Sequence, residues 1–457
     1  MLIPGEGAQS PAHGRLLLLA ALAGFGVSLA VLYPGQYTYD SAFQIWQARS
    51  GRFFNITPVP MLWVWSQLLR IFDNPASLLV LNLAMFWSGI ALCLHALRAP
   101  IGFRVGALMV CGLNPLTLAQ MAHLLSDAHM TAALILAVGL LAQAMRRRRA
   151  PLIWIAWILI LHAGSIRQNA LVAVIPVGIL AVGAMRMPRA LTVRSVLVAV
   201  VLTAVLTAAF GTALDRTLTV ERRSLWPMLA LWDLAAVSVA TDELLLPSFT
   251  HGAGMSVEEL RETRAFDPVS TTALFSRSRS GIGSGLDQPY SREQEQAIAR
   301  AWWDAVTRHP GAYLAHRMQT MVLLTARQGG DRGGIGYYVG RARYRDNPLL
   351  PSAWFPDAQK DAYAVFASLS RTWMFAGLPY LLIHLIVVGV ALLRRRSLDS
   401  GLALGISASA LLYAASFFVL APSAELRYLT WPIVTAPLAL ALLIGQRWSG
   451  ERDSAPG

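Results

Sequence analysis

Carboxylates are scarce in the first half of this sequence. Between Arg15 and Leu214 there are three: Asp40, Asp73 and Asp127. Lysine is scarcer still. Lys360 is the single example among 457 residues, so arginine carries the net charge of +13. Charged residues of both signs make up 14% of the chain, where soluble domains carry about 25%. With a hydrophobic fraction of 55% and a mean hydropathy of +0.50, that deficit excludes an ordinary soluble enzyme and implies an integral membrane protein. The arginines fall in short clusters between apolar runs. That pattern orients membrane spans and is not a nucleic-acid surface, so no nucleic-acid partner is expected. Cysteine is also nearly missing, and Cys93 and Cys111 lie inside apolar segments as small core residues, not as a disulfide pair or metal site. There is no internal repeat and no transporter-like duplication of the hydrophobic pattern.

What the sequence has in quantity is long apolar runs. A helix needs about 20 apolar residues to cross a bilayer core. Suitable runs lie near 15–33, 76–97, 104–123, 127–145, 151–165, 169–185, 195–213, 373–393, 401–420 and 429–446, with 151–165 the shortest. The expected fold class is therefore an all-α polytopic membrane protein of about ten transmembrane helices. Arg15 precedes the first run and no small-residue cleavage site follows it, which points to an uncleaved signal anchor. The run 59–72 is apolar but too short to span. It reads as an interfacial helix, with Trp63 and Trp65 suited to the headgroup zone.

Orientation follows from the arginines. With the N-terminus inside, Arg98 and Arg104, Arg146 to Arg149, Arg186, Arg189 and Arg194, Arg394 to Arg396, and Arg447 and Arg452 all fall on the inner side. The expected organisation is a cytoplasmic N-terminus at 1–14 and a transmembrane module at 15–213, whose first outer loop is 34–75. A mostly helical outer segment at 214–372, C-terminal spans at 373–446 and a cytoplasmic tail at 447–457 complete it. The outer segment has amphipathic pieces at 225–246 and 292–325 among Gly/Ser-rich and charged loops at Arg277–Gln288 and Gln328–Arg345. Arginine-rich, lysine-poor usage fits a GC-rich bacterial genome, so the expected setting is a bacterial inner membrane with a periplasmic outer face.

This orientation gathers Asp40, Asp127, Arg167, Glu425 and Arg427 on the outer face. A carboxylate at a membrane boundary is costly unless it is solvated, paired or used. Asp40 follows the first span in Tyr37-Thr38-Tyr39-Asp40-Ser41 and reads either as a helix N-cap or as the general base of a transfer reaction. Asp127, in His123-Leu124-Leu125-Ser126-Asp127-Ala128-His129, reads either as part of a cap or as a second acidic group for a metal or an acceptor. A divalent cation at Asp40 and Asp127 stays open, although His123 and His129 lack a standard zinc spacing. Arg167 and Arg427 both depart from the positive-inside pattern. Each reads as an ion-pair partner, a headgroup contact or a bidentate clamp on a lipid phosphate. Tyr39, His129, Asn169, Glu425 and Tyr428 flank these positions and are candidates to contact the acceptor or support the site. Trp63, Trp65, Trp302 and Trp303 read as interface anchors and not as sugar platforms.

The Tyr39-Asp40-Ser41 loop, the downstream Pro58-Val59-Pro60 and the apolar interfacial helix that follows resemble the GT-C superfamily of polytopic glycosyltransferases. Within that superfamily the chain resembles the family-39-like transferases, which include protein O-mannosyltransferases and aminoarabinose transferases. The resemblance covers the layout of about 15–215. It implies that Asp40 matches the catalytic base of the first outer loop, Asp127 the acidic residue that opens the fourth span, and Arg427 a ligand of the donor phosphate. Two departures are present: Thr57-Pro58-Val59-Pro60 stands where a His-Pro-Pro is often seen, and Asp127 is a single Asp where a metal-dependent variant would have Asp-Xaa-Asp. The implied reaction moves a sugar from a polyprenyl-phosphate donor, its tail among the spans and its phosphate near Arg167 or Arg427, to a cell-envelope acceptor (lipid, glycan or protein), with inversion. Competing readings are an O-antigen-type polymerase or ligase, which would place its key basic residues in the large outer loop, and a lipid or solute transporter, which would have charged or broken helices at the midplane. A scaffold in which both aspartates merely cap helices is a further alternative.

Overall fold

The computed structural model describes residues 11–187, 191–251, 255–262, 265–275, 290–326, 342, 344–348, 350–393 and 397–450. The Arg277–Gln288 loop, most of the Gln328–Arg345 loop, and Arg189, Arg394 to Arg396 and Arg452 lie outside the described residues. The apolar runs fold as helices. In chain order these are α1 (Pro11–Leu32), α2 (Tyr39–Ser50), α3 (Val59–Phe72), α4 (Ser77–Ala96), α5 (Ile101–Leu113), α6 (Pro115–Met121), α7 (Ser126–Arg147), α8 (Ala150–Ile166), α9 (Ala170–Arg186) and α10 (Val193–Leu218). The segment 214–372, expected on the outer side and called the outer segment on that expectation, holds α11 (Trp226–Thr241), α12 (Val257–Glu262), α13 (Arg292–Arg308), α14 (Pro310–Thr325) and α15 (Pro356–Leu369). Then come α16 (Leu378–Leu393), α17 (Leu398–Leu420), α18 (Thr430–Gly445) and the short α19 (Arg447–Gly450). The described sheet is a single parallel pair, β1 (Phe53–Phe54) with β2 (Thr219–Glu221), which joins the first outer loop to the start of the outer segment.

Fewer helices are of full spanning length than the ten expected. Among the described residues six are long and apolar enough to cross a membrane: α1, α4, α7, α10, α17 and the last span, counted from Leu426 to Gly445. The expected run at 104–123 is broken into α5 and α6, bent by 55°, and counts as a seventh if the two are one span. Asn114-Pro115 causes the break. Proline cannot extend the preceding helix, and the Asn114 side chain caps the next one by accepting from the Leu116 and Thr117 N–H groups. Helices α8, α9 and α16 have 17, 17 and 16 residues, each spanning about 24–26 Å against a bilayer core of about 30 Å. The amphipathic piece at 292–325 is likewise two helices, split at His309-Pro310.

Helix α3 matches the short apolar run, but its tryptophans are not alike. Trp63 is 44% exposed, whereas Trp65 is fully buried and donates its indole N–H to the Pro75 carbonyl at 3.1 Å. Trp65 is thus a core residue and not an interface anchor. Trp302 departs in the same way, since its indole N–H is spent on Asp233 in the outer segment, while Trp303 is exposed. Leucines and valines on α1 and α10, such as Leu18, Leu22, Leu197 and Val201, stand exposed, as lipid-facing side chains do in a membrane protein.

The bundle has two unlike ends. At one, Arg146 donates to the Ala96 carbonyl at 2.7 Å and to Asp399 Oδ1 at 2.9 Å, and Arg147 lies 2.7 Å from the His95 ring. At the other lie Asp40, Asp127, Arg167 and the chain between α17 and α18. Between them α4 and α7 approach closely through small residues. A Cβ on Gly89 would stand 2.6 Å from the Ile135 and Leu136 backbone, and one on Gly139 would stand 2.6 Å from the Gly89 carbonyl. Gly89→Ala is therefore expected to destabilise the protein by about 1–3 kcal/mol through overpacking. Gly106→Ala, which meets nothing within 4 Å, should leave the thermal midpoint in detergent unchanged.

Candidate active site at the outer end of the bundle

Asp40 reaches the site because the chain turns sharply after α1. Gly35 has φ +102°, and a Cβ there would stand 3.0 Å from the Leu124 side chain and 3.2 Å from the Ala122 carbonyl, so the turn requires glycine. This close approach lets the Gln36 N–H donate to the Ala122 carbonyl at 2.7 Å and the Gln36 carbonyl accept from the Leu124 N–H at 3.2 Å. The loop carrying Asp40 is thereby tied to the loop that leads into Asp127. Thr57, in the stretch that departs from His-Pro-Pro, helps seat α2: its hydroxyl donates to Gln47 Oε1 at 2.9 Å.

Neither aspartate is a helix cap. Thr38 caps α2 in a reciprocal pair with Ser41, and Asp40 sits in the first turn with its side chain 52% exposed. Leu125 occupies the N-cap of α7 and offers no side-chain bond. Ser126 and Asp127 turn instead to Arg167, whose Nη1 donates to Asp127 Oδ1 at 2.6 Å and to Ser126 Oγ at 3.3 Å. The Asp127 side chain is only 3% exposed. Burial, the largest single influence, would lower the pKa of the Arg167 guanidinium, but the Asp127 carboxylate together with the Tyr413 and Tyr428 phenol oxygens holds it above its ordinary value.

The stretch before α18 supplies the other half. Arg427 donates through Nε to Glu425 and through Nη2 to Asp40 Oδ2 at 3.2 Å. Burial would raise the Glu425 pKa, but Arg427 beside it, with the Ser423 hydroxyl, brings it below the usual carboxylate value. The Arg167 and Arg427 guanidiniums lie 4.9 and 5.3 Å from the centre of the Tyr428 ring, close enough for cation–π attraction. Tyr428 stacks on Phe417 with centroids 5.3 Å apart, and its hydroxyl lies 3.0 Å from Ser423 Oγ. Thr430 completes the docking by donating to Gln120 Oε1 of α6 at 2.9 Å.

Asp40, Asp127, Arg167, Glu425, Arg427 and Tyr428 are thus brought together from four connections between helices. Asn169 is buried beside Arg167 and faces the Tyr413 phenol. Two candidates lie apart. Tyr39 is 62% exposed and packs edge-on against Tyr344 with centroids 5.7 Å apart. His129 points into the bundle, with Nδ1 2.7 Å from Asn82 Oδ1 and Nε2 2.9 Å from His162 Nε2. Sequence reasoning passed over Ser126, Ser423 and Tyr413. The first two stand inside motifs it singled out, and Tyr413 is a lone phenol in the apolar run Ala410-Leu411-Leu412-Tyr413-Ala414-Ala415. Each carboxylate faces a guanidinium, and among the described residues no three His, Cys, Asp or Glu side chains gather.

No family model matches this chain, and no curated protein matches it. Two solved structures are similar to it at 13% identity. The structure of ArnT from Cupriavidus metallidurans bound to undecaprenyl phosphate is similar over 98% of this chain and 79% of that one, with a TM-score of 0.32. The arabinosyltransferase EmbB from Mycobacterium smegmatis is similar over 95% of this chain and 42% of that one, with a TM-score of 0.33. Likeness at this level carries no argument about what this chain does.

Arg167→Met leaves the Asp127 carboxylate buried without its counter-charge and should cost about 3–5 kcal/mol in an unfolding titration, much of it recovered when Asp127→Leu is added. His123, buried before α7, has its pKa pushed down to about 4 because burial penalises the imidazolium. The unfolded chain takes up a proton on this residue near about pH 6.5. Stability should therefore be level above that pH and fall as the pH drops from there towards 4. His123→Gln should flatten the part of this dependence measured between thermal melts at pH 5 and 8.

Proposed function

We propose that this chain is a membrane glycosyltransferase of the GT-C kind. In this reading it moves a sugar from a polyprenyl-phosphate donor to a cell-envelope acceptor at the outer, periplasmic face of a bacterial inner membrane, with the N-terminus in the cytoplasm. The observation that carries the reading is the contact between Arg427 and Asp40, which joins the first outer loop to the last at the end of the bundle opposite the Arg146 cluster. That contact supports a reading in which a guanidinium for the donor phosphate and a carboxylate base act side by side.

The roles divide by exposure. Asp40, half exposed, can accept a proton from an acceptor hydroxyl, whereas Asp127 is buried and committed to Arg167. Asp127 is accordingly a positioning residue for that guanidinium in this reading. Arg427 spends Nε and one Nη2 hydrogen on carboxylates, and its remaining N–H groups can meet a phosphate oxygen. In the reaction, Asp40 takes the hydroxyl proton as the acceptor oxygen forms its bond to the anomeric carbon. The bond from that carbon to the phosphate oxygen breaks, and the lipid phosphate leaves with the electron pair, stabilised by Arg427 and Arg167. Attack opposite the leaving group inverts the anomeric centre. The pairing of the charged residues at helix ends, away from the bundle middle, favours this reading over transport.

The test is sugar transfer from labelled polyprenyl-phosphate donors in proteoliposomes. Asp40→Asn should slow transfer by about 10²–10⁴-fold, the usual worth of a general base, while still binding undecaprenyl phosphate. Transfer at the wild-type rate by the variant would overturn the role given to Asp40.

A further inference from the structure

An ion pair with both side chains buried lies outside the site, in the core of the outer segment. Arg317 on α14 donates through Nη2 to Asp233 Oδ2 on α11 at 2.6 Å, and the two side chains are 1% and 2% exposed. The Trp302 indole N–H donates to the same carboxylate oxygen at 2.8 Å. A buried ion pair is weak evidence of stabilisation, since apolar replacement often does as well. This one has another consequence. The second arm of the guanidinium leaves the outer segment and donates through Nη1 to the Ala421 carbonyl at 3.1 Å, immediately after α17.

The chain beyond Ala421 is held by the same body. The Thr271 N–H donates to the Pro422 carbonyl at 3.2 Å, and the Ala424 N–H donates to the Val269 carbonyl at 2.7 Å. Ser270 and Ser423 form an antiparallel bridge between these bonds. The clamping strand is itself anchored beside the ion pair. The Val269 N–H donates to Asp267 Oδ1 at 2.7 Å, and the Asp267 carbonyl accepts from the indole of Trp232, the neighbour of Asp233, at 2.9 Å. Glu425 and Arg427 follow directly on the clamped residues.

We propose that Arg317 is a positioning residue for the site: fastened by Asp233 in the outer segment, it grips the Ala421 carbonyl and sets the course of residues 422–425, after which Arg427, paired with Glu425, reaches Asp40. The planar fork is what makes this possible, because its separate N–H groups bond a carboxylate and a carbonyl at once, which a lysine ammonium on a flexible stem does poorly. The assignment rests on the reading of Arg427 as a ligand of the donor phosphate, and the test separates the two.

The full-length protein in nanodiscs is titrated with undecaprenyl phosphate, and deuterium exchange is followed at the Ala424 amide. Arg317→Met with Asp233→Leu removes both charges, so no unpaired ion is left in the core, and Arg317→Lys keeps the charge without the fork. Both variants should bind undecaprenyl phosphate about tenfold or more weakly, the scale of one charge-assisted hydrogen bond, and expose the Ala424 amide to faster exchange while the amides of the membrane helices stay protected. Wild-type affinity with a protected Ala424 amide in either variant would overturn the proposal, and Arg317→Lys decides it alone if the double variant does not fold. Arg427→Gln is the control. If it binds undecaprenyl phosphate as well as the wild type, the phosphate reading of the site fails, while the Ala424 exchange still shows whether Arg317 holds the loop.

Discussion

A guanidinium at the edge of an apolar bundle requires counter-charge, and Arg427 finds it in two places. Glu425 is two residues away, and Asp40 is 387 residues away. The second contact can form only if the first outer loop and the stretch before α18 arrive at one point. The Gly35 turn, the Gln36 bridge to the loop before α7 and the Thr430 bond to Gln120 all serve that meeting. Arg167 and Asp127 repeat the arrangement one layer further in, where burial makes the pairing compulsory. Tyr428 lies within cation–π distance of both guanidiniums.

The two aspartates look equivalent as text and are not equivalent in space. Asp127 opens a helix in the interior, where its side chain is buried and its Oδ1 accepts from Arg167 while Oδ2 has no hydrogen-bond partner among the described residues. Asp40 sits on the first turn of a loop helix that Thr38 already caps, and half of its side chain is open. One charge is structural and the other is available. The same division separates Trp65, whose N–H is spent inside the core, from Trp63 on the same helix.

Much of the molecule was legible in the residues. The scarcity of carboxylates and the clustering of arginine identified a membrane protein with Asp40, Asp127, Arg167 and Arg427 remote from Arg146, and the apolar runs became helices, one of them broken in two. Run length was a poorer guide to span count. The Asn114-Pro115 break and the 3-10 turn at Trp373–Phe375 shorten helices that composition alone extends. Tyr39 and His129 were drawn in as sequence neighbours of the aspartates. A helix turns about 100° per residue, so a neighbour in sequence usually faces elsewhere. Asp233 stood as a lone carboxylate in the apolar stretch Leu229 to Val239, a signal that can be seen only once a partner is sought for it.

By itself the sequence determined the helical membrane character, the loops that could bear chemistry, and the residues Asp40, Asp127, Arg167 and Arg427. Those properties depend on local apolarity and on the cost of charge in hydrocarbon, both of which are written residue by residue. Only the tertiary structure decided the partners: Arg427 with Asp40, Arg167 with Asp127, and Arg317 with both Asp233 and the Ala421 carbonyl. Ion pairs and backbone grips between distant segments leave no periodicity or spacing in the chain. Each of these side chains has a sufficient local explanation as a cap or a surface charge until packing removes the water that would have made it so.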